Sequence, residues 1–281
     1  MYPAGERDIA VRWVDAGRGL KIRTLESGDS SGAAVLLVHG WGANVYSWAE
    51  TIPALAAAGY RVIALDLPGH GLSDKPVVEE QYTTAALTRV IMAVADAYEL
   101  PRFSLVGHSL GGSLGLDLAV RGERRLDRLG LFSAVGLAWS PLISPLRLLS
   151  PRLVNRLTPA ILTRTVLSIV LRAAFATNGR PNERDIEQYW APSQFPEYAW
   201  ACRACVHKAT WGAQPASRLR SLRLPVLVLA GRHDRLVRGT VERGRLIPHA
   251  RVLSVRDAGH LVQQEAAEVS NRELIEFLRR S

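Results

Sequence analysis

Residues 106–112 read Val-Gly-His-Ser-Leu-Gly-Gly, and the way this stretch has to turn decides the fold. The apolar run before it, 103–106, has the length and composition of a short buried strand. A helical stretch opens at Leu110 and continues toward Arg121. Between them lies Gly-x-Ser-x-Gly, the pattern of a strand-to-helix turn tight enough to lift one side chain clear of a sheet. Glycine is required at 107 and 111 because neighbouring backbone passes too close for a Cβ. A serine at the apex is strained, and such strain concentrates at functional positions. The following helix points free N–H groups and a positive dipole end toward Ser109, where an oxyanion would be stabilised. Five residues also recur by chance, so the rest of the chain has to supply the context.

That context is an alternation. Continuous apolar runs, the signature of parallel strands buried on both faces, occur at 34–38, 62–65, 103–106, 129–132, 226–229 and 252–255. Helical stretches at 45–58, 83–100, 110–121 and 264–279 separate most of them. Strand-helix alternation implies right-handed crossovers and a parallel sheet covered by helices on both faces. Residues 21–25, after Gly19, are expected to form an antiparallel lead-in hairpin with residues near Arg12.

The alternation stops after Phe132 and resumes at Leu224-Pro225. The intervening residues are helical in character, broken by prolines from Pro141 to Pro196, and rich in aromatics, among them Trp139, Tyr189, Trp190 and Trp211. The expected organisation is a core formed by 1–136 and 218–281, with a helical cap, 137–217, folded over the C-terminal edge of the sheet. Ligands of open α/β sheets bind outside those strand ends. The net charge of +9 is concentrated in the same region. Residues 137–223 hold twelve Lys or Arg against four Asp or Glu, leaving the rest of the chain close to balance. That distribution, with no recognised nucleic-acid module, argues against a nucleic-acid binder. The arginines at 147, 152, 156, 164 and 172 are interleaved with aliphatic residues, a pattern compatible with a solvated amphipathic face or with weak contact to an anionic lipid surface.

Other classes recede on similar grounds. Residues 1–12 have no apolar core of the kind a secretory signal needs, and the long apolar stretch at 160–176 is interrupted by Arg164 and Arg172, so neither secretion nor a membrane span is expected. The expected location is the cytoplasm. Cys202 and Cys205 are the only cysteines; without further ligands or a leading strand, they read as two small residues on a cap helix. The glycines of 107–115 lack the spacing of a dinucleotide site. No metal and no cofactor is implied.

Four loops leave the C-terminal ends of the apolar runs, each carrying chemistry: His39-Gly40-Trp41-Gly42, the stretch 66–74 from Asp66 to Asp74, Gly231-Arg232-His233-Asp234, and Asp257-Ala258-Gly259-His260. With Ser109 they supply nucleophile, acid and base in the chain order Ser, Asp, His. That order, on these strands, resembles the α/β-hydrolase superfamily over essentially the whole chain, in its capped serine esterase and lipase-like branch. The resemblance implies a mostly parallel, eight-stranded twisted sheet with a helical cap inserted after the sixth strand. The stretch 66–74 looks like the family's loop after its fourth strand and is read as structural.

Position selects the base. Only His249 and His260 follow Asp234, and His249 precedes its strand, at the wrong end of the sheet; His260 follows it. The acid is Asp234. Relatives that place it after the sixth strand are ruled out as a guide because no Asp or Glu occurs from Arg128 to Asn182, and Asp257 lies too near His260 in sequence. The oxyanion hole is expected from the backbone N–H groups of Leu110 and Trp41. His39 and His108 are expected to brace their loops. Trp41, His108, Trp139, Tyr189, Trp190 and Trp211 are the expected substrate-pocket residues, of which two or three would touch ligand.

A serine at the elbow argues against the dehalogenase and epoxide-hydrolase chemistries of this superfamily, which use aspartate there. Its carbon–carbon hydrolases often resemble Gly-Asn-Ser-Met-Gly-Gly with a more glycine-rich oxyanion loop, whereas this chain has Gly-His-Ser-Leu-Gly-Gly and His-Gly-Trp-Gly. The expected activity is cleavage of a small to medium lipophilic ester or lactone through an acyl-enzyme on Ser109. A carbon–carbon bond hydrolase and a slow-turnover receptor with a retained triad are the alternatives.

Overall fold

The computed structural model describes residues 1–150, 163–176 and 179–279. Eight strands form one sheet: β1 (Ile9–Asp15), β2 (Lys21–Ser27), β3 (Ala34–Val38), β4 (Arg61–Leu65), β5 (Phe103–His108), β6 (Leu126–Phe132), β7 (Val226–Gly231) and β8 (Arg251–Val255). Their spatial order is β1-β2-β4-β3-β5-β6-β7-β8. The β1–β2 and β2–β4 pairs are antiparallel, and all others are parallel. The lead-in hairpin forms as expected, with Arg12 opposite Thr24.

Each central strand alternates between two apolar layers. Leu36, Val38, Leu105 and Val228 belong to one, and Val35, Leu37, Val106 and Leu229 to the other. A strand with helices on both sides has no polar face, which is why these segments read as continuous apolar runs.

The helices outside the insertion are α1 (Thr51–Ala57), α2 (Thr84–Ala97) and α3 (Leu110–Val120) before it. Within the insertion, among the described residues, are α4 (Ile143–Leu149), α5 (Arg164–Ala174), α6 (Glu183–Trp190), α7 (Tyr198–Lys208) and α8 (Ala216–Arg220). After β7 come α9 (Thr240–Gly244), α10 (Val262–Glu265) and α11 (Ala267–Arg279).

Two stretches expected as single helices are divided. Residues 45–58 split into a 3₁₀ turn, Val45–Trp48, and α1, whose first turn holds Pro53. Proline lacks the N–H that a continuous helix would need there, but is tolerated in a first turn. The C-terminal stretch begins earlier than expected, at Val262, and breaks between α10 and α11 at Ala266. Among the described residues no helix is long and apolar enough to cross a membrane.

The insertion grips the sheet from two sides. On one, α7 lies against the loops of β3 and β4: the Tyr198 hydroxyl donates to the Gly42 carbonyl at 3.1 Å, and Arg203 pairs with Glu79 at 3.1 Å. On the other, the Tyr46 hydroxyl donates to Asp185 at 2.8 Å, and Leu167, Leu171 and Phe175 join the apolar layer of Ala258 and Leu261.

Candidate active site

Ser109 sits between the last residue of β5 and the first of α3, with φ 51° and ψ −113°. A left-handed φ is costly for a residue with a Cβ, so the surrounding structure has to impose it. A Cβ on Gly107 would lie 2.3 Å from the Gly111 carbonyl oxygen, and one on Gly111 would lie 2.2 Å from the oxygen of Val38. Strand, turn and helix can close to this degree only with glycine at both positions. The Ser109 N–H donates to the Phe132 carbonyl at 2.9 Å, anchoring the elbow to β6. β5 runs to His108, two residues further than its apolar run, because Gly107 and His108 still pair with Leu131 and Phe132.

The loop after β3 lies directly against the elbow. A Cβ on Gly40 would stand 3.0 Å from both the Ser109 Cβ and the His108 Nδ1. His39 holds that loop: its Nε2 accepts from the Leu67 N–H at 2.9 Å and its Nδ1 donates to the Gly40 carbonyl at 2.7 Å. Burial pushes its pKa down to about 4, so the ring is neutral at pH 7, in keeping with one nitrogen donating and the other accepting. The Trp41 indole N–H donates to the Cys202 carbonyl at 2.8 Å, joining the same loop to α7.

Asp66 is structural, as the sequence implied. Fully buried, it accepts from the N–H groups of Val45 and Leu72 at 2.8 and 2.9 Å and pairs with the buried Arg23 at 3.2 Å. It knits β2, the 3₁₀ turn at 45–48 and the 66–74 loop into one unit.

Asp234 and His260 come together across the ends of β7 and β8. The imidazole Nδ1 lies 2.9 Å from Asp234 Oδ2, and both side chains are nearly inaccessible. The other carboxylate oxygen accepts from the N–H groups of Leu236 and Val237 at 2.8 and 2.9 Å. Burial acts to raise the pKa of Asp234. The His260 interaction and the two backbone donors outweigh it and hold the carboxyl below its ordinary value. The approach of the two loops depends on Gly231, where a Cβ would fall 2.0 Å from the Gly259 carbonyl oxygen.

His108, which precedes Ser109 in the chain, reaches across to the His260 loop. It is buried beside His260, ring centroids 4.7 Å apart, and its Nε2 donates to the His260 carbonyl at 2.9 Å. Burial, reinforced by His260, drives its pKa down to about 3. His108 is therefore a neutral brace.

The aromatic residues expected near the pocket divide. Trp41 and Trp211 meet edge to face at 6.4 Å, and the Trp211 indole N–H donates to the Cys205 carbonyl at 3.3 Å. Tyr189 and Trp190 instead pack in the apolar layer of the opposite face. The Tyr189 hydroxyl is committed to Gln264 at 2.6 Å. Trp139 is 59% exposed. Cys202 and Cys205 are both buried free thiols on α7. The expected lipid-facing arginines at 152 and 156 lie outside the described residues.

Glu265 was missed by the sequence reading. Its carboxylate accepts backbone N–H groups on both sides of His260. The available signal, a glutamate five residues after the histidine, is indistinguishable in sequence from a solvated helix residue.

Residues 33–267 match the family model for the alpha/beta hydrolase fold, and the chain belongs to that family. It is 31% identical over 274 residues to the dihydrolipoyllysine-residue acetyltransferase component of the acetoin cleaving system of Pseudomonas putida, covering 93% of this chain and 68% of that protein. It is 29% identical to a 2-hydroxy-6-oxononadienedioate/2-hydroxy-6-oxononatrienedioate hydrolase of Cupriavidus pinatubonensis, covering 98% and 92%. Among solved structures, a carboxylesterase of Bacillus subtilis superposes with a TM-score of 0.80 at 21% identity, covering 96% of this chain and 92% of that one.

Proposed function

We propose that this chain is a serine hydrolase that cleaves a small to medium lipophilic carboxylic ester or lactone. The observation that carries the reading is the 2.9 Å bond between Asp234 and His260, at the sheet edge where the strained Ser109 is presented. Ser109 Oγ attacks the carbonyl carbon while His260 Nε2 takes its proton. The oxyanion is held by the N–H groups of Trp41 and Leu110, each such donor being worth about 3 kcal/mol in the transition state. Collapse breaks the acyl–oxygen bond, and His260 returns the proton to the leaving alcohol. Water then attacks the acyl-enzyme, again giving a proton to His260, and the acid departs as Ser109 is restored. Asp234 stays ionised throughout; it fixes the ring and offsets the imidazolium charge.

Residues 137–217 act in this reading as a cap over the reacting centre, with Trp41 and Trp211 forming apolar wall and His108 supporting the base beneath. The exposed apolar side of α5, with Val166, Ile169 and Val170, and the surplus positive charge of the insertion support weak contact with an anionic lipid surface.

The second reading is hydrolysis of a carbon–carbon bond. It draws on the Cupriavidus relative and on a 2-hydroxy-6-oxo-6-phenylhexa-2,4-dienoate hydrolase of Comamonas testosteroni, 29% identical over 258 residues. A panel of p-nitrophenyl esters beside a 2-hydroxy-6-oxo-dienoate separates the two. Multiple turnover of esters, lost by several orders of magnitude in Ser109→Ala, is the expected result. Preferential turnover of the dienoate establishes the second reading, and binding without turnover makes the chain a receptor.

A further inference from the structure

The loop carrying His260 is tied to the insertion by a side chain that the chemistry above leaves unused. Glu265 closes α10 and folds back over that loop. Its Oε1 accepts from the N–H groups of Gly259 at 3.0 Å and Leu261 at 3.2 Å, the residues flanking His260. Its Oε2 accepts from the N–H of Ala176 at 2.6 Å, two residues beyond the end of α5. A second tie runs alongside: the His260 N–H donates to the Ala174 carbonyl at 2.9 Å. The packing leaves no slack. A Cβ at Gly259 would stand 2.8 Å from the Ala174 oxygen, 2.9 Å from the Ala176 nitrogen and 3.0 Å from Glu265 Oε1.

We propose that Glu265 is a positioning residue for His260, and that it couples the end of α5 in the insertion to the base. The proposal rests on the reading of His260 as the base. The Leu261 N–H lies in the peptide plane that follows His260, and the His260 N–H in the plane that precedes it. The charge-assisted bond to Glu265 and the bond to Ala174 together fix both planes and the direction of the Cα–Cβ bond, while the Gly259 bond anchors the peptide one step further back. Asp234 then fixes the ring about that bond, and His108 holds the His260 carbonyl. With the carboxylate removed, Asp234 still holds Nδ1, but the loop beneath is free to tilt and carries Nε2 away from Ser109. The division of the two oxygens distinguishes this from a simple turn brace: one serves the His260 loop, and the other serves a segment 89 residues distant in sequence.

The test uses the full chain with Glu265→Ala and Glu265→Gln, read by p-nitrophenyl butyrate turnover, fluorophosphonate labelling of Ser109, and the downfield proton resonance of the Asp234–His260 bond. Circular dichroism and a thermal melt establish that each variant is folded. Glu265→Ala is expected to lower kcat and the labelling rate by about 100-fold with KM changed less than about threefold, since a displacement near 1 Å costs that much. Its downfield resonance should broaden or vanish. Glu265→Gln keeps an oxygen for Gly259 and Leu261 but turns an NH₂ toward Ala176, and should recover about tenfold of the loss. A folded Glu265→Ala that labels and turns over at the wild-type rate, with the resonance intact, overturns the proposal. So does a variant that loses only thermal stability. If Glu265→Ala does not fold, a folded Glu265→Gln with undiminished kcat overturns it equally. If wild-type Ser109 does not label, the base reading fails instead, and persistence of the resonance in the variants decides the clamp.

Discussion

Acidification from pH 7 to pH 5 should destabilise this protein through three histidines that the fold keeps neutral. His39, His70 and His108 are buried, and burial is the main cause that lowers their pKa values from 6.5 to about 4, about 3 and about 3. His39 and His70 also face each other, with ring centroids 5.4 Å apart, so either charge would discourage the other. In the unfolded chain each would take up a proton near its ordinary pKa. A depressed folded value means the stabilisation is fully present above the unfolded pKa and is lost as pH falls toward the folded one. At pH 5 the unfolded form of each is favoured by about 1.5 pH units of proton binding, about 2 kcal/mol per histidine. Together the three amount to about 5–6 kcal/mol, comparable with the whole stability of many domains. Urea denaturation at half-unit intervals from pH 7 to pH 5 measures this directly. His70→Asn, whose amide can replace the 2.9 Å bond from Nδ1 to the Pro68 carbonyl, should reduce the loss by about a third. A fall of less than about 1.4 kcal/mol between pH 6.5 and pH 5, the effect of a single proton over one unit, would refute the assignment of three neutral buried rings.

Three further outcomes are expected. Asp234→Asn preserves shape but removes the charge and can favour the wrong imidazole tautomer; kcat for ester turnover should fall by about 10⁴-fold with the melting temperature little changed. Gly40→Ala places a methyl 3.0 Å from the Ser109 Cβ and the His108 ring, so the loop after β3 must retreat, and if it carries the proposed oxyanion donor kcat should drop by about 100-fold while KM moves little; steady-state kinetics decide this. Sedimentation with phosphatidylglycerol vesicles should show binding at low salt that weakens toward physiological ionic strength, and indifference to salt would remove the lipid-surface reading.

The sequence by itself was enough to determine the strand alternation, the tight turn at Ser109 and the two strand-end loops that carry Asp234 and His260. These depend on local requirements: an apolar residue at every buried strand position, glycine where a Cβ cannot fit, and a loop at the correct end of a strand. Only the tertiary structure decided how the insertion attaches. Whether Tyr189 faces a pocket or donates to Gln264, and whether Glu265 meets water or three backbone N–H groups, depends on which distant segment arrives beside it. The helix breaks at residues 49–50 and at Ala266, and the extension of β5 to His108, were set the same way. Periodicity reports which face of an element is buried. It does not report the partner, because a polar side chain at a helix end satisfies its hydrogen bonds equally well with water until packing removes the water.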